Sequence, residues 1–599
     1  MEENKMKKRI SLLLVLVMVI GLFTACAGGN NTDNSPGTDS SPGSGSASSP
    51  SQSPGSSADP GSSPGTSGTE EENFNETGVL NLLWFQGNSN FDKIECTYSN
   101  WQSLLPDLLW DTLIKYEFGN SQNFAPRLAR EWSISPDSKT YTFIIRDEAK
   151  WQDGQPVTAE DFLWSFQILC RGGFSYGNYV SIEGLDAYAK GEREDIPGIV
   201  ADGKTLTLKL SSPNAVFMKA LCQFIVYPKH LFSDLTNPLE FENHAYWKAP
   251  VGSGSYKIDS TNFPDFVMMT RWDEYYGEKA AIKNIKFQSY ATGGADAAAA
   301  AMIAGVLDQA AGNEFNDINF AKNIVDKNPD YAYGVVDSLY TRSFWFNQAG
   351  SQDGKQHPGN TNPRVRQAIA MLIDREGVAS FYAGQATAMT TLVNPDSPDY
   401  NTDIPLFRRD IEGARKILEE EGFDFNHTLR LTTHYADQTT AVIMDYVIQN
   451  LADAGVKAEF ILATGDLVEA FYTLRNYDMC YGAVPWSTFI EQFNIVKPGF
   501  GIYEEFHGEA SYADRQRLFG DLIAEYMNIT NPVRHREILW ELQANQIEYG
   551  VPIPLYSLNK VFTYNASKWS FDERYLQTNE LALQNFSDLG VQYWKLLKP

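Results

Sequence analysis

Histidines, cysteines and acids carry most of a protein's chemistry, and their spacing here argues against a catalytic centre. The seven histidines are His230, His244, His357, His427, His434, His507 and His535. None pairs with another at HxxxH spacing on a helix face, so no metal site is expected, and no cofactor. Asp and Glu number 75, ample for a carboxylate pair of the glycosidase kind, but no motif positions one. A secreted hydrolase is therefore kept only as an alternative of another class, beside a ligand sensor.

The 599 residues leave room for several lobes, and 43% hydrophobic content supplies a large core. The net charge of −27 argues against a nucleic-acid partner. Lys5, Lys7, Lys8 and Arg9 precede an apolar run over 10–23 that is too short to span a bilayer comfortably. The run ends in Phe23-Thr24-Ala25-Cys26, which resembles a bacterial lipobox. That resemblance implies a lipid on Cys26 and a membrane anchor after removal of residues 1–26. Residues 27–78 are dominated by Ser, Pro, Gly, Asn, Asp and Thr and read as a disordered tether, which suits a Gram-positive surface. The other cysteines, Cys96, Cys170, Cys222 and Cys480, fix no disulfide pairing by their spacing and read as small buried residues.

The elements that position the rest are clearest over 128–166. The segment opens with an apolar helical turn and a strand at 132–134. Ser135-Pro136-Asp137-Ser138 then turns the chain. Tyr141, Phe143 and Ile145 alternate with Thr140 and Thr142 as in a half-buried strand. After a second turn at Asp153-Gly154, Thr158-Ala159-Glu160-Asp161 reads as a helix start, and Phe162, Phe166 and Leu169 form an apolar stripe. Further strands are expected at 79–85, 204–210 and 429–433, with helices at 104–116, 441–452 and 531–549.

The string LAREWSISPDSKTYTFIIRDEAKWQDGQPVTAEDFLWSF closely resembles the signature of extracytoplasmic solute-binding proteins of family 5, the peptide- and nickel-type binding components of ABC importers. The resemblance extends through Pro213 to Phe217, the Pro250-Val251-Gly252-Ser253-Gly254 loop, Pro363 to Arg375, Asp410 to Gly422 and Pro552 to Tyr556. It implies a mixed α/β, periplasmic-binding-protein-like type II fold in its large three-lobed variant. Lobe I would take 79–117, 251–336 and 556–599, lobe II 118–250, and lobe III 337–555. A monomer would trap an oligopeptide, or an oligosaccharide or other small solute, by hinge closure and pass it to permease subunits. The glycines of the 250–254 loop are expected to supply unusual backbone angles where the chain crosses between lobes.

By the same resemblance, ligand contacts are expected from Trp84, Gln86 and Asn88 at the end of the first strand, and from Tyr340, Arg342 and Trp345. Peptide-binding relatives place a Trp and then an ammonium-pairing Asp after the Tyr477-Asp478-Met479 stretch. Here the run is Cys480 to Thr488 with no acid, and Glu491 is the nearest carboxylate. Burying an unpaired ammonium costs several kcal/mol. Trp486, with Phe489, Phe493 or Tyr503, is therefore read either as a stacking surface for a sugar or apolar group, or as packing between lobes. Arg364 and Arg366 lie off the apolar face of their helix, which points to solvated or structural roles.

Overall fold

Period-two alternation predicts the strand at 140–145, and the computed structural model has it, with Tyr141, Phe143 and Ile145 inward and the threonines half-exposed. The structure describes residues 75–84, 91–96, 98, 104–117, 120–290, 294–310, 317–336, 339–405, 407–485, 488–499, 504–529, 531–570 and 595–596. The lipobox cysteine Cys26 and almost all of the tether lie outside these residues.

Thr140–Ile145 sits in a four-stranded sheet between Ala129–Ile134 and Thr205–Lys209, with Ile199–Asp202 at the far edge. The turn before it is closed by a bond from the Ser138 amide to the Ser135 carbonyl. The helix Ala159–Arg171 then starts at Thr158 in a capping box, with Asp161 answering the Thr158 amide at 2.9 Å. Phe162, Phe166 and Leu169 pack beneath the sheet.

Two larger sheets carry the rest. One has seven strands, in the order Tyr331–Val336, Lys560–Asn565, Gln309–Ala310, Asn75–Leu83, Ile282–Gln288, Phe266–Arg271 and Tyr256–Asn262. The other has six, in the order Ala386–Ala388, Ile553–Leu558, Tyr340–Phe346, Met479–Pro485, Thr428–Thr433 and Lys457–Leu462. The seven-stranded and four-stranded sheets share one continuous apolar core, which runs from Leu80 and Ile285 through Leu108 to Phe143 and Phe166. The six-stranded sheet has its own core, built on Phe344, Leu431, Ile369 and Leu555. Two bodies thus stand on separate cores.

The chain passes between the two large sheets twice, side by side. It leaves Tyr331–Val336 and enters Tyr340–Phe346 through 337–339, and it returns from Ile553–Leu558 to Lys560–Asn565 through Asn559 alone. Val336 pairs with Lys560 on one side of the crossing and Thr341 with Ser557 on the other. Ile553–Leu558 stays whole in the six-stranded sheet, so Tyr556 belongs there.

Some expectations need correction. The first strand begins at Asn75, ahead of the expected 79. Leu128 opens no helical turn, because the strand already starts at Ala129. The helix expected over 104–116 stops at Leu109, and Ile114–Glu117 is a strand paired with Asn120–Pro126. The alternating Ile114 and Tyr116 find ladder partners in Pro126 and Phe124, and a sheet edge outcompetes a continued helix. Gly252 and Gly254 keep ordinary backbone angles and are needed for close approach instead. A Cβ at Gly252 would stand 1.7 Å from the Leu109 carbonyl oxygen, and one at Gly254 2.4 Å from that of Leu108. Cys96, Cys170 and Cys480 are buried and Cys222 half-buried, with no disulfide among the described residues.

Candidate functional site at the paired crossing

Tyr340 and Arg342 stand two apart on the strand that leaves the first crossing, so both side chains leave the same face of the sheet. Arg342 is flanked in the ladder by Ala483 and by Tyr556. Tyr481 shares the face of Ala483, and Tyr435 follows the end of Thr428–Thr433. The guanidinium carbon consequently lies 3.8 Å from the ring centre of Tyr435, 5.0 Å from that of Tyr340 and 5.8 Å from that of Tyr481. Aromatic faces attract a cation placed over them. The hydroxyl of Tyr556 is hydrogen-bonded to those of Tyr382, at 2.9 Å, and Tyr481.

Lys560 opens the strand after the second crossing and brings a second cation. Its ammonium is 5.3 Å from the centre of the same Tyr340 ring. Burial, and then the Arg342 guanidinium, push Lys560 down to about 8. The same two causes push His434 down to about 4, so its imidazole is neutral and adds no charge. Burial first, and the Asp437 carboxylate among lesser causes, raise the Tyr382 and Tyr481 phenols. Asp437 itself caps the helix Gln438–Ala452, accepting from the Thr440 amide at 2.9 Å and the Thr440 hydroxyl at 2.7 Å.

Nε and Nη1 of Arg342 are buried and meet no acceptor among the described residues. Two cations and four phenol rings thus cluster beside the paired crossing.

Of the expected ligand contacts, the structure brings Tyr340 and Arg342 together. Trp84 is elsewhere and buried, with its ring centre 4.8 Å from Phe91 in the core of the seven-stranded body. Trp345 is buried against Gly482 and stacks on Phe506. Glu491 accepts from the Thr488 hydroxyl at 2.9 Å and lines a small recess with Lys219 and Gln223, where the four-stranded sheet's body meets the six-stranded one. Phe489 and Phe493 are buried. Gln86, Asn88, Trp486 and Tyr503 lie outside the described residues. Asp478 is fully buried, accepting from the His357 amide at 2.6 Å and the Arg430 amide at 2.9 Å, so it serves the sheet.

The sequence reading missed Lys560, Tyr435, Tyr481 and Tyr556. Only the ladder pairings bring them to Arg342, although Tyr556 stands in the recognised Pro552-Ile553-Pro554-Leu555-Tyr556 run. Among the described residues, no group of three metal-ligating side chains occurs and no helix is long and apolar enough to cross a membrane.

Two cores joined by a double crossing, with mixed α/β sheets in each, define a periplasmic-binding-protein-like type II architecture. Bacterial extracellular solute-binding proteins, family 5 (middle region), match residues 123–490, and the chain belongs to that family. It is similar to the dipeptide-binding protein DppE of Bacillus subtilis, 26% identical over 334 residues that make up 53% of this chain and 58% of the relative. It is also similar to the nickel-binding periplasmic protein of Escherichia coli, 25% identical over 336 residues, or 54% of this chain and 58% of that one. The match thus spans about three fifths of these relatives' length. Among solved structures, AppA from Clostridium difficile superposes with a TM-score of 0.70 at 16% identity, over 87% of this chain and all of that one.

Proposed function

We propose that the chain is the solute-binding component of an ABC importer and captures an oligopeptide between two bodies that close about the paired crossing. The observation that carries this reading is the division into two cores that the chain connects at 337–339 and Asn559, with a cluster of cations and phenols beside the crossing. Side-by-side strand crossings allow rotation of one body on the other without disturbing either core. In this reading the 118–250 lobe moves with the seven-stranded body, because the two share a core. A lipid on Cys26 and the 27–78 tether hold a monomer on the outer face of a membrane, where the closed form meets permease subunits.

The test uses the mature protein with pools of peptides and of oligosaccharides. Peptides are expected to raise the melting temperature and to reduce the radius of gyration in X-ray scattering, and to be recovered unaltered. Stabilisation by sugars alone would replace the peptide by a glycan. Recovery of a chemically changed product would overturn the binding reading altogether.

A further inference from the structure

Val216 and Phe217 are neighbours in the chain, yet they pack into different cores. Phe217 turns into the body of the four-stranded sheet, with its ring centre 5.0 Å from that of Tyr141. Val216 sits at the rim of the six-stranded body's core and is 9% exposed. Among the described residues, every other buried member of that core lies between Leu339 and Leu558. Neither 337–339 nor Asn559 takes part in this contact, so it joins the two bodies independently of the paired crossing.

The tip that carries Val216 is shaped from within its own body. The Asn214 side chain accepts from the Val216 amide at 3.1 Å and donates to the Ser181 hydroxyl at 3.1 Å. The Ala215 amide bonds instead to the Met527 carbonyl of the six-stranded body, at 3.1 Å. That carbonyl lies in the last turn of the helix Asp521–Asn528, where carbonyls lack a partner in their own helix. Two others there are served from inside the six-stranded body. The Asn528 side chain donates to the Ala524 carbonyl at 2.7 Å, and the His535 ring meets that of Tyr526 at 3.1 Å. Met527 takes its donor from the opposite body. The recess beside Val216 is lined by Lys219 from one side and Glu491 from the other, which are of opposite charge.

We propose that residues 213–217 form a latch: Ala215 and Val216 dock on the end of the helix Asp521–Asn528 when the two bodies close and withdraw when they part. The inference rests on the solute-capture reading and adds the contact that sets how long a captured solute is held. A tip already shaped by Asn214 loses little order on docking. Burying one valine and forming one backbone bond shift a two-state equilibrium by about ten- to a hundredfold. That bias favours closure and can still be undone when the solute is handed on. The Pro213 to Phe217 run thereby gains a task that does not depend on the chemistry of the solute.

The test uses the mature protein and its Val216→Asp and Val216→Ala variants, with and without a pool of three- to five-residue peptides. An unpaired carboxylate is not admitted to the six-stranded core, so Val216→Asp should hold the bodies apart. Its radius of gyration should exceed the wild type's. Its Ala215 amide should exchange with solvent about tenfold faster or more, and bound peptide should leave faster by a similar factor. Val216→Ala should fall between the two. Amides of Thr140–Ile145 should keep their protection and the melting temperature should hold, because position 216 faces water in the open form. A fall in melting temperature with no change in radius would make Val216 a permanent core residue and overturn the latch. Equal radius, exchange and peptide release in the wild type and Val216→Asp would overturn it too, and would leave solute capture standing wherever peptides bind both. The radius and exchange comparisons need no solute. Expansion and faster exchange in a protein that binds no peptide would therefore uphold the latch while removing the oligopeptide reading.

Discussion

Arg342 and Lys560 share one ring. The guanidinium carbon lies 5.0 Å and the ammonium 5.3 Å from the centre of Tyr340, and the two cations belong to different bodies of the molecule. Burial first, and then the Arg342 guanidinium, push Lys560 down to about 8, while the guanidinium keeps its proton.

The first prediction concerns pH. Lys560 loses its proton as pH rises through about 8, so the affinity for an anionic solute should fall between about pH 7 and 9.5. Binding near and above pH 8 should also take up a proton, visible as a buffer-dependent heat. Lys560→Met should bind more weakly at pH 7 and show a nearly flat profile. A wild-type affinity that does not change across this range would rule out a role for the Lys560 charge.

Gly252 sets the second prediction. No Cβ fits 1.7 Å from a carbonyl oxygen, so Gly252→Ala forces the loop off the end of the helix Leu104–Leu109. We expect a loss of about 3 kcal/mol or more in denaturant unfolding, or failure to accumulate folded protein. Gly422→Ala is the control. Its φ of +68° is left-handed but the space around it is open, so it should cost only about 1–2 kcal/mol. Equal costs at the two sites would show that close approach is not what Gly252 provides.

These positions mark how far the sequence could be read. The strand at 140–145 and the helix start at Thr158 were legible because alternation and capping are local. Tyr340 and Arg342 could be placed on one face by their spacing alone. Lys560 could not, since it meets Tyr340 only through the pairing of Val336 with Lys560. Tyr556 reaches Arg342 by a register set across a separation of 214 positions, and no periodicity reports that. The helix expected over 104–116 failed for a related reason, because the competing partner, Asn120–Pro126, was itself unseen.

A third prediction follows from His507, which is buried and held neutral. Its Nε2 faces the Ile495 carbonyl at 2.9 Å, and its Nδ1 meets the Gln348 amide at 3.1 Å. Burial above all pushes it down to about 3. The unfolded chain binds more protons than the folded one between about pH 6.5 and 3, so stability is lost as pH falls through that window. From pH 6.5 to 5 this histidine should account for about 2 kcal/mol of that loss. His507→Gln should be less stable at pH 7 and show a shallower decline on acidification. Parallel declines in the two proteins would mean that other groups govern the acid limb.

The last prediction tests the reading of Arg366 as structural. Its side chain is fully buried and donates to backbone carbonyls. Nε and Nη2 donate to the Tyr549 carbonyl at 3.0 and 2.6 Å, and Nη1 donates to that of Asn360 at 3.0 Å. Burial pulls the guanidinium down to about 10, which leaves it charged at neutral pH. These bonds tie the helix Pro363–Leu372 to the end of the helix Pro532–Tyr549, just before the chain enters Ile553–Leu558. Arg366→Met strands two carbonyl groups, at a cost of about 3 kcal/mol. Arg366→Lys keeps the charge but cannot reproduce the fork, so it should recover less than half of that. Because Arg366 is held by Tyr549 and Asn360 and not by the phenols around Arg342, solute affinity measured below the melting transition should be unchanged in both variants. An affinity loss without a stability loss would place Arg366 in recognition and overturn its structural assignment.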